Sequence, residues 1–301
     1  MRRKAIIEKT AGIIFFICAG AAIFAVSAIT LYMIIKGTSA LQEVGVSDLL
    51  FGIVWKPTAE PPSYGIGYII LSSLIGTGAA IITGVPIGVL SAVFLSEIAG
   101  KKPGDLVRNA VELLAAIPSV IYGLIGMMVL NPLMYALEKK IYEGDSEHVY
   151  TGGANMLSAV IVLSIMILPT VISVSTSSLK AVPDNLRAAS LALGATKEQT
   201  IFKTVIPAAK SGILTGVVLG IGRALGEAMA INMVAGGAVN IPLPFNSVRT
   251  LTTQIVSEMG YASGLHRQVL YTVGLVLYVF IMIVNFILLK ARKGGIKDDN
   301  R

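Results

Sequence analysis

Two ionisable side chains lie close together within an apolar stretch in the C-terminal third of the chain. Arg223 is near the middle of residues 212–234, and Glu227 follows four residues later. If the stretch is helical, both side chains lie on one face, about 6 Å apart along the axis. A charge at the centre of a membrane span costs roughly 2.5–3.5 kcal/mol on insertion scales, so the pair should face protein or a water-filled path.

Two interpretations of this pair are open. In the first, Glu227 neutralises Arg223, and the ion pair only fixes helix packing. In the second, Arg223 offers a permanent charge and a planar fork of donors to a transiting oxyanion. Glu227 would then orient the guanidinium and limit how tightly it holds the anion. Arg223 and Glu227 are therefore the candidate substrate-path residues.

The composition indicates an integral membrane protein. Hydrophobic residues make up 54% of the 301 residues, charged residues only 14%, and the mean hydropathy is +0.79. Soluble domains usually carry about 25% charged residues. The net charge of +7 does not indicate nucleic-acid binding, because the basic residues cluster at the ends of apolar stretches.

No residue pattern predicts catalysis, a cofactor or a bound metal. Cys18 is the single cysteine, and His148 and His266 lie in different loops, so neither a disulfide framework nor a ligand cluster is expected. Gly100 and the two lysines after it lack the glycine and hydroxyl pattern of a nucleotide-binding loop. We therefore predict that the chain is not an enzyme and that any ATP hydrolysis comes from a partner.

Hydropathy predicts an all-α fold with six transmembrane helices. The predicted spans are residues 11–35, 67–95, 106–130, 155–175, 212–234 and 269–289. Each is long enough to cross a hydrocarbon core of ~30 Å, and we interpret the first as a retained anchor. Pro86 and Pro118 should kink the second and third spans. Gly216 and Gly220 should let a neighbouring helix approach the fifth span closely.

Basic residues are distributed unequally between the two sides of the predicted membrane. Seventeen lysines and arginines fall on the side of the two termini and of residues 179–207, and six fall on the other side. The positive-inside rule therefore places both termini in the cytoplasm. The long opposite loops at 37–65, 138–153 and 236–268 suit the docking of an external partner, with plain connectors as the alternative.

Residues 179–207 form a polar, basic segment between two apolar stretches. Pro183 and Asp184 are typical of a helix start, and Gly194 can end that helix in a left-handed conformation. A second helical run over 197–205 should end at Pro207, because proline removes a helix hydrogen bond. The pattern predicts a helix–glycine–helix elbow that faces the cytoplasm, with an ordinary basic loop as the simpler alternative.

The elbow resembles the coupling loop of ABC importer permeases. The residues that carry the resemblance are Ala188, Ala189, Ser190, Gly194, Thr204, Ile206 and Pro207. In that family the loop begins Glu-Ala-Ala, whereas Ala188 stands at the position of the Glu here, which puts in question any salt bridge of that Glu to an ATPase subunit. The resemblance implies ATPase coupling through Ala188, Ala189, Ser190, Gly194, Ile206 and Pro207.

Further motifs resemble the PstC-type permeases of phosphate ABC importers over about three quarters of the chain. They are ELLAAIPSVIYG at 112–123, GRALGEAMA at 222–230, VAGG at 234–237 and VRTLT at 248–252. The sister PstA type typically has Asn at the position of Glu112 and Gly-Glu-Thr-Ala-Pro after its arginine, which favours the PstC type.

This resemblance implies an inner-membrane permease that translocates inorganic phosphate. Its implied partners are a PstA-like permease, two copies of a PstB-like ATPase subunit and an external PstS-like phosphate-binding protein, with no nucleic acid and no cofactor. The resemblance also implies a division of the chain into three parts. They are residues 1–65 with the first span, a permease core at 66–289 with the coupling loop at 179–207, and a basic tail at 290–301.

Several alternatives to this assignment are open. They are a permease for sulfate or molybdate, the sister PstA-type subunit, a passive anion channel and an ion-coupled carrier. A carrier should show inverted repeats and broken helices, neither of which the sequence indicates.

Overall fold

The computed structural model describes the backbone of residues 2–297 and the side chains of residues 8–100, 102–287 and 290. Of the predicted basic tail at 290–301, residues 298–301 lie outside the described residues. The helices are α1 Arg2–Val44, α2 Val46–Phe51, α3 Gly67–Val93, α4 Lys101–Ala116, α5 Ser119–Ile125, α6 Asn131–Ile141, α7 Met156–Lys180, α8 Asp184–Ala192, α9 Lys197–Thr200, α10 Ile206–Gly226, α11 Met229–Val234, α12 Leu251–Glu258 and α13 Gly264–Lys297. Wider π-helical turns extend α3 over Phe94–Ile98, join α5 to α6 over Gly126–Leu130 and join α9 to α10 over Ile201–Val205.

Six helical stretches of the described chain are long and apolar enough to cross a membrane, as predicted. They are Glu8–Val44, Gly67–Ile98, Ser119–Ile141, Met156–Lys180, Lys197–Gly226 and Gly264–Ile287. We call the end of this bundle that carries α8 and α9 the elbow end, and the opposite end, with residues 45–66, 142–155 and 235–263, the loop end.

The third span differs from its predicted bounds of 106–130. The chain is extended at Ile117 and Pro118, with ψ of 126° and 142°, so the charged helix α4 is separated from the span that starts at Ser119. Pro118 has no N–H to continue the ladder of α4. By contrast, α3 continues without interruption through Pro86.

Helix α7 is the centre of the bundle, and glycines of its two neighbours allow both to pack closely against it. On α3, a Cβ at Gly84 would lie 2.7 Å from the Cδ1 of Ile167. On α10, a Cβ at Gly216 would lie 3.1 Å from the Cβ of Val174, and Gly220 is equally crowded by α7. The predicted packing role of the two α10 glycines is confirmed.

Helix α1 packs along α13. The Thr272 hydroxyl donates to the Gly37 carbonyl at 2.7 Å, and the Tyr32 and Tyr271 rings meet edge to face at 5.6 Å. Most other described side chains of α1 are exposed, which suits a helix that faces lipid.

A short hairpin and two buried glutamates organise the loop end. Strands β1 Trp55–Lys56 and β2 Ser63–Tyr64 pair antiparallel, the one sheet of the described chain. Glu258 accepts hydrogen bonds from Trp55 Nε1 and from an Arg249 guanidinium NH group. Its carboxylate also pairs with His266 Nε2 at 2.8 Å. These contacts join the hairpin, α12 and the start of α13 into one unit.

Glu138, at the end of α6, is fully buried and plays the same role for the loop before α7. Its carboxylate accepts from both the backbone N–H and the hydroxyl of Thr151 at 3.0 Å and pairs with His148 Nε2 at 3.0 Å. The His148 ring stacks on Tyr142 with centroids 3.7 Å apart. Each histidine of the chain is thus paired with a buried glutamate.

Candidate functional site

The fifth span is broken close to the predicted pair. Helix α10 ends at Gly226, Glu227 is extended with ψ of 129°, and α11 begins at Met229. The prediction that Arg223 and Glu227 share one helix face is therefore wrong, as is the expectation that the chain has no broken helix. Non-helical backbone at membrane depth requires internal partners, and here the Thr252 hydroxyl donates to the Glu227 carbonyl at 2.7 Å.

Glu227 is buried and committed to this break. Its Oε1 accepts from the Ala230 N–H at 2.9 Å, so the side chain caps the first turn of α11. It also lines a cavity of about 20 Å³ together with Ser73, Thr77 and Thr250. That volume holds about one water molecule.

Arg223 lies near the middle of the bundle, one turn before the break. Gly220, three residues earlier, meets Val171 and Ile167 of α7, and Ala224 belongs to the central apolar cluster with Leu163. These α7 residues are near the midpoint of Met156–Lys180. The predicted depth of Arg223 therefore agrees with the packing.

Arg223 is a half-buried residue, and its guanidinium forms no hydrogen bond or ion pair with any group in the described part of the chain. On the same helix, Gly222 and Gly226 are exposed, and a Cβ at either would have no neighbour within 4 Å. Leu219 is 52% exposed. One strip of α10 around a central cation is thus left uncovered by the chain itself.

The elbow has the predicted form in its first half. Helix α8 follows Pro183, carries Asp184 in its first turn, and is ended by Gly194 with φ of +84°. Thr196 and Gln199 then form a reciprocal cap at the start of α9.

The second half of the elbow differs from the prediction. Helix does not end at Pro207 but continues from Lys197 to Gly226. The wider turn over Ile201–Val205 precedes Pro207, which occupies the first turn of α10. Proline clashes with the preceding turn of a regular helix, and a π-helical turn changes that hydrogen-bond register.

Arg187 fastens the elbow to the bundle, a contact that the sequence analysis missed. Its guanidinium donates to both carboxylate oxygens of Glu97, at 2.9 and 3.2 Å, and to the carbonyls of Leu179 and Val182. The hydrogen bond that Arg187 donates to Glu97 raises the pKa of Arg187 above its usual value, with burial acting in the opposite direction. Glu97 is 90 residues away in sequence, and no local pattern marks the pair.

The candidate coupling residues have two different roles in the elbow. Ala188, Ala189 and Pro207 are exposed. The Ser190 hydroxyl instead bonds that of Thr200 at 2.9 Å and so ties α8 to α9. No residue of α8 is buried, and the apolar side chains Leu191, Leu193 and Phe202 are 50%, 90% and 58% exposed. An apolar surface on a segment outside the spans is typical of an interaction site.

Comparison with known proteins identifies the family. Residues 84–292 match the binding-protein-dependent transport system inner membrane component family, which is more than half of the chain. The chain belongs to this family. It is accordingly a multi-pass membrane protein, with its six spans in agreement.

Curated relatives of this family member cover most of its length. A probable ABC transporter permease protein of Bacillus subtilis, YqgH, is 37% identical over 90% of this chain and 87% of the relative. The phosphate transport system permease protein PstC of Pasteurella multocida is 35% identical over 76% of this chain and 74% of the relative.

Solved structures of ABC transporters share the fold. A MetNI methionine ABC transporter chain is similar at a TM-score of 0.52 with 20% identity, over 77% of this chain and 94% of that chain. A bacterial alginate importer chain has a TM-score of 0.56 with 16% identity, over 75% of this chain and 78% of that chain. The all-α permease fold predicted from the sequence is confirmed.

Proposed function

We propose that this chain is the PstC-type permease subunit of an ABC importer for inorganic phosphate. The relatives named as phosphate permeases support the substrate class. The observation that carries the proposal for the path is Arg223, a half-buried cation at mid-depth without an ion pair in the described chain. In this proposal the guanidinium contacts phosphate in transit through its planar fork of donors.

The structural alternative, a neutralising brace, requires an ion pair between Arg223 and Glu227. Glu227 is instead engaged as the cap of α11 and as the acceptor for Thr252 through its carbonyl. Its proposed role therefore changes from holding Arg223 to holding open the helix break beside which Arg223 lies. The uncovered strip around Gly222 and Gly226 provides the space that a path shared with a second permease would need.

Phosphate uptake into proteoliposomes, measured per assembled complex, tests the proposal. Arg223→Leu should assemble, because no carboxylate loses a partner, yet lose uptake by about 10- to 150-fold, the equivalent of a charged hydrogen bond of about 1.5–3 kcal/mol. Arg223→Lys keeps the charge but loses the planar fork of donors, so its uptake should lie between that of the original chain and that of Arg223→Leu. Lys210→Leu removes an exposed cation from the same helix and serves as the control. Near-normal uptake by Arg223→Leu would refute the path role.

We further propose that α8 and its exposed apolar side chains dock on an ATP-hydrolysing subunit, present in two copies. Support comes from the unburied surface of α8 and from the exposed Ala188 and Ala189. Because Ala188 has no charge, the contact must rest on apolar packing and on the shape set by Gly194. The elbow end and both termini would then face the cytoplasm, in agreement with the basic asymmetry.

The loop end would receive the external phosphate-binding protein. The unit joined by Glu258 offers a rigid surface there, and it is continuous with an open cavity of about 710 Å³ between the hairpin and residues 237–240. Residues 66–289 form the proposed transport core, and residues 1–65 add the first span and the hairpin against it.

A further inference from the structure

A cavity of about 270 Å³ opens between α4 and α7 at the elbow end of the bundle. Its charged and hydroxyl-bearing wall residues are Arg108, Glu112, Ser173, Thr176, Ser177 and Lys180. It is separate from the strip around Arg223, which lies at mid-depth on α10. It is more than ten times larger than the cavity of about 20 Å³ beside Glu227.

Two cations from different helices face this cavity. Arg108 of α4 is half-buried, and Lys180 is the last residue of α7. Neither makes an ion pair or a hydrogen bond with the described groups of the chain. Glu112 lies four residues after Arg108, yet the two side chains do not form an ion pair. The two cations outnumber the one carboxylate in the wall, so the cavity has a net positive charge.

A buried hydroxyl in the wall has no partner. Thr176 is 8% exposed, and its Oγ1 forms no hydrogen bond within the described structure. The Ser177 hydroxyl, one residue along, donates to the Ser173 carbonyl. A buried polar group without a hydrogen bond loses its interaction with water and gains nothing in return. A ligand oxygen in the cavity would recover that loss.

We propose that this cavity binds a phosphate group. The Arg108 guanidinium and the Lys180 ammonium would donate to its oxygens, and the Thr176 hydroxyl would donate a further hydrogen bond after rotating about χ1. The phosphate group has two possible sources, inorganic phosphate and the head group of an anionic phospholipid. The Glu112 carboxylate can accept from the hydroxyl of a protonated inorganic phosphate or from a glycerol hydroxyl of phosphatidylglycerol, so it is compatible with either source.

The test uses the full chain in nanodiscs, in an Arg223→Leu background so that no binding arises at mid-depth on α10. One arm measures equilibrium binding of radiolabelled inorganic phosphate in zwitterionic lipid. The other arm measures retention of phosphatidylglycerol by native mass spectrometry. Arg108→Gln should weaken binding at least 10-fold, and the isosteric Thr176→Val by about 3- to 10-fold. Lys102→Gln, an exposed α4 cation outside the cavity wall, should stay within twofold.

The two arms distinguish free phosphate from a lipid head group, and both differ from the result expected if the site does not exist. Phosphate binding that depends on Arg108 and Thr176 supports the site and assigns free phosphate, and lipid retention with the same dependence supports the site and assigns the head group. If neither ligand responds to Arg108→Gln and Thr176→Val, or if Lys102→Gln has an equal effect, the proposal is overturned. Because uptake is not measured, failure of the proposed transport role of Arg223 would leave this result unaffected.

Discussion

Substitution of Gly194 separates backbone strain from side-chain bulk in the elbow. Its φ is +84°, in the left-handed region that L side chains rarely adopt, and a Cβ there would meet nothing within 4 Å. Any effect of a substitution must therefore come from the backbone conformation and not from a collision. Alanine in this region costs about 1–2 kcal/mol, and a β-branched residue up to about 3 kcal/mol. Asparagine tolerates the conformation and should cost less than either.

If α8 docks on the ATPase subunit as we propose, the strain should become a loss of ATPase affinity, because an elbow that relaxes to relieve the strain must return to the tight turn on docking. Each 1.4 kcal/mol corresponds to a tenfold change in the dissociation constant. Gly194→Ala should therefore weaken ATPase binding about 5- to 30-fold, and Gly194→Val up to about 140-fold. Gly194→Asn should remain closest to the original chain. Hydrolysis stimulated by the loaded binding protein should fall in the same order.

The assay titrates the reconstituted permease pair with purified ATPase subunit and records both binding and stimulated hydrolysis. Gly78→Ala is the matched control, since its Cβ also meets nothing within 4 Å and its backbone has an ordinary φ. It should change the affinity less than twofold. The reasoning is refuted if Gly194→Val binds as well as the original chain, or if Gly194→Asn is as damaging as Gly194→Val.

Two further predictions concern packing and the elbow clamp. Gly84→Ala would place a Cβ 2.7 Å from Ile167 Cδ1 and 3.0 Å from a backbone carbonyl of α7. The free energy of unfolding of the solubilised chain should therefore fall by about 1–3 kcal/mol. Gly78→Ala, which has space for its Cβ and removes a glycine from inside α3, should not lower the thermal midpoint. Arg187→Gln should lower the free energy of unfolding by about 2–3 kcal/mol. This is less than the 3–5 kcal/mol lost when a fully buried ion pair is broken, because the Arg187 side chain is 20% exposed. Adding Glu97→Gln should restore part of the loss in a double-mutant cycle, and additive losses would contradict the direct pairing.

Hydropathy and local turn chemistry predicted most of the architecture. Six apolar stretches became six spans, and Gly194 ends α8 in the predicted left-handed conformation, because these signals are contained within a few residues. The error at Glu227 occurred where a tertiary partner changes the outcome, whereas those at Pro118 and Pro207 have local causes. The helix break at Glu227 is stabilised by a hydrogen bond from Thr252, 25 residues further along the chain, which hydropathy does not register.

The three glutamates that anchor segments to the bundle could not be located from the sequence for the same reason. Glu97, Glu138 and Glu258 resemble ordinary polar residues near span ends, yet each is fixed by donors. For Glu97 and for the tryptophan that binds Glu258, the partner is 90 or more residues away in the chain. His148 and His266, in contrast, lie 10 and 8 residues from their glutamates, so spacing near a helix end was a usable signal.

The half-buried arginines whose side chains are described divide into two pairs. Arg187 and Arg249 are each engaged by a glutamate that is largely removed from solvent, and both fasten a segment to the bundle. Arg108 and Arg223 are also half-buried, but no carboxylate of the described chain forms an ion pair with them. Removing a cation from water without a counter-charge is costly, so an arginine that only stabilised the fold would be expected to have a partner. In our two proposals a bound anion supplies the counter-charge for Arg108 and for Arg223, which is why both proposed anion contacts fall on this second pair.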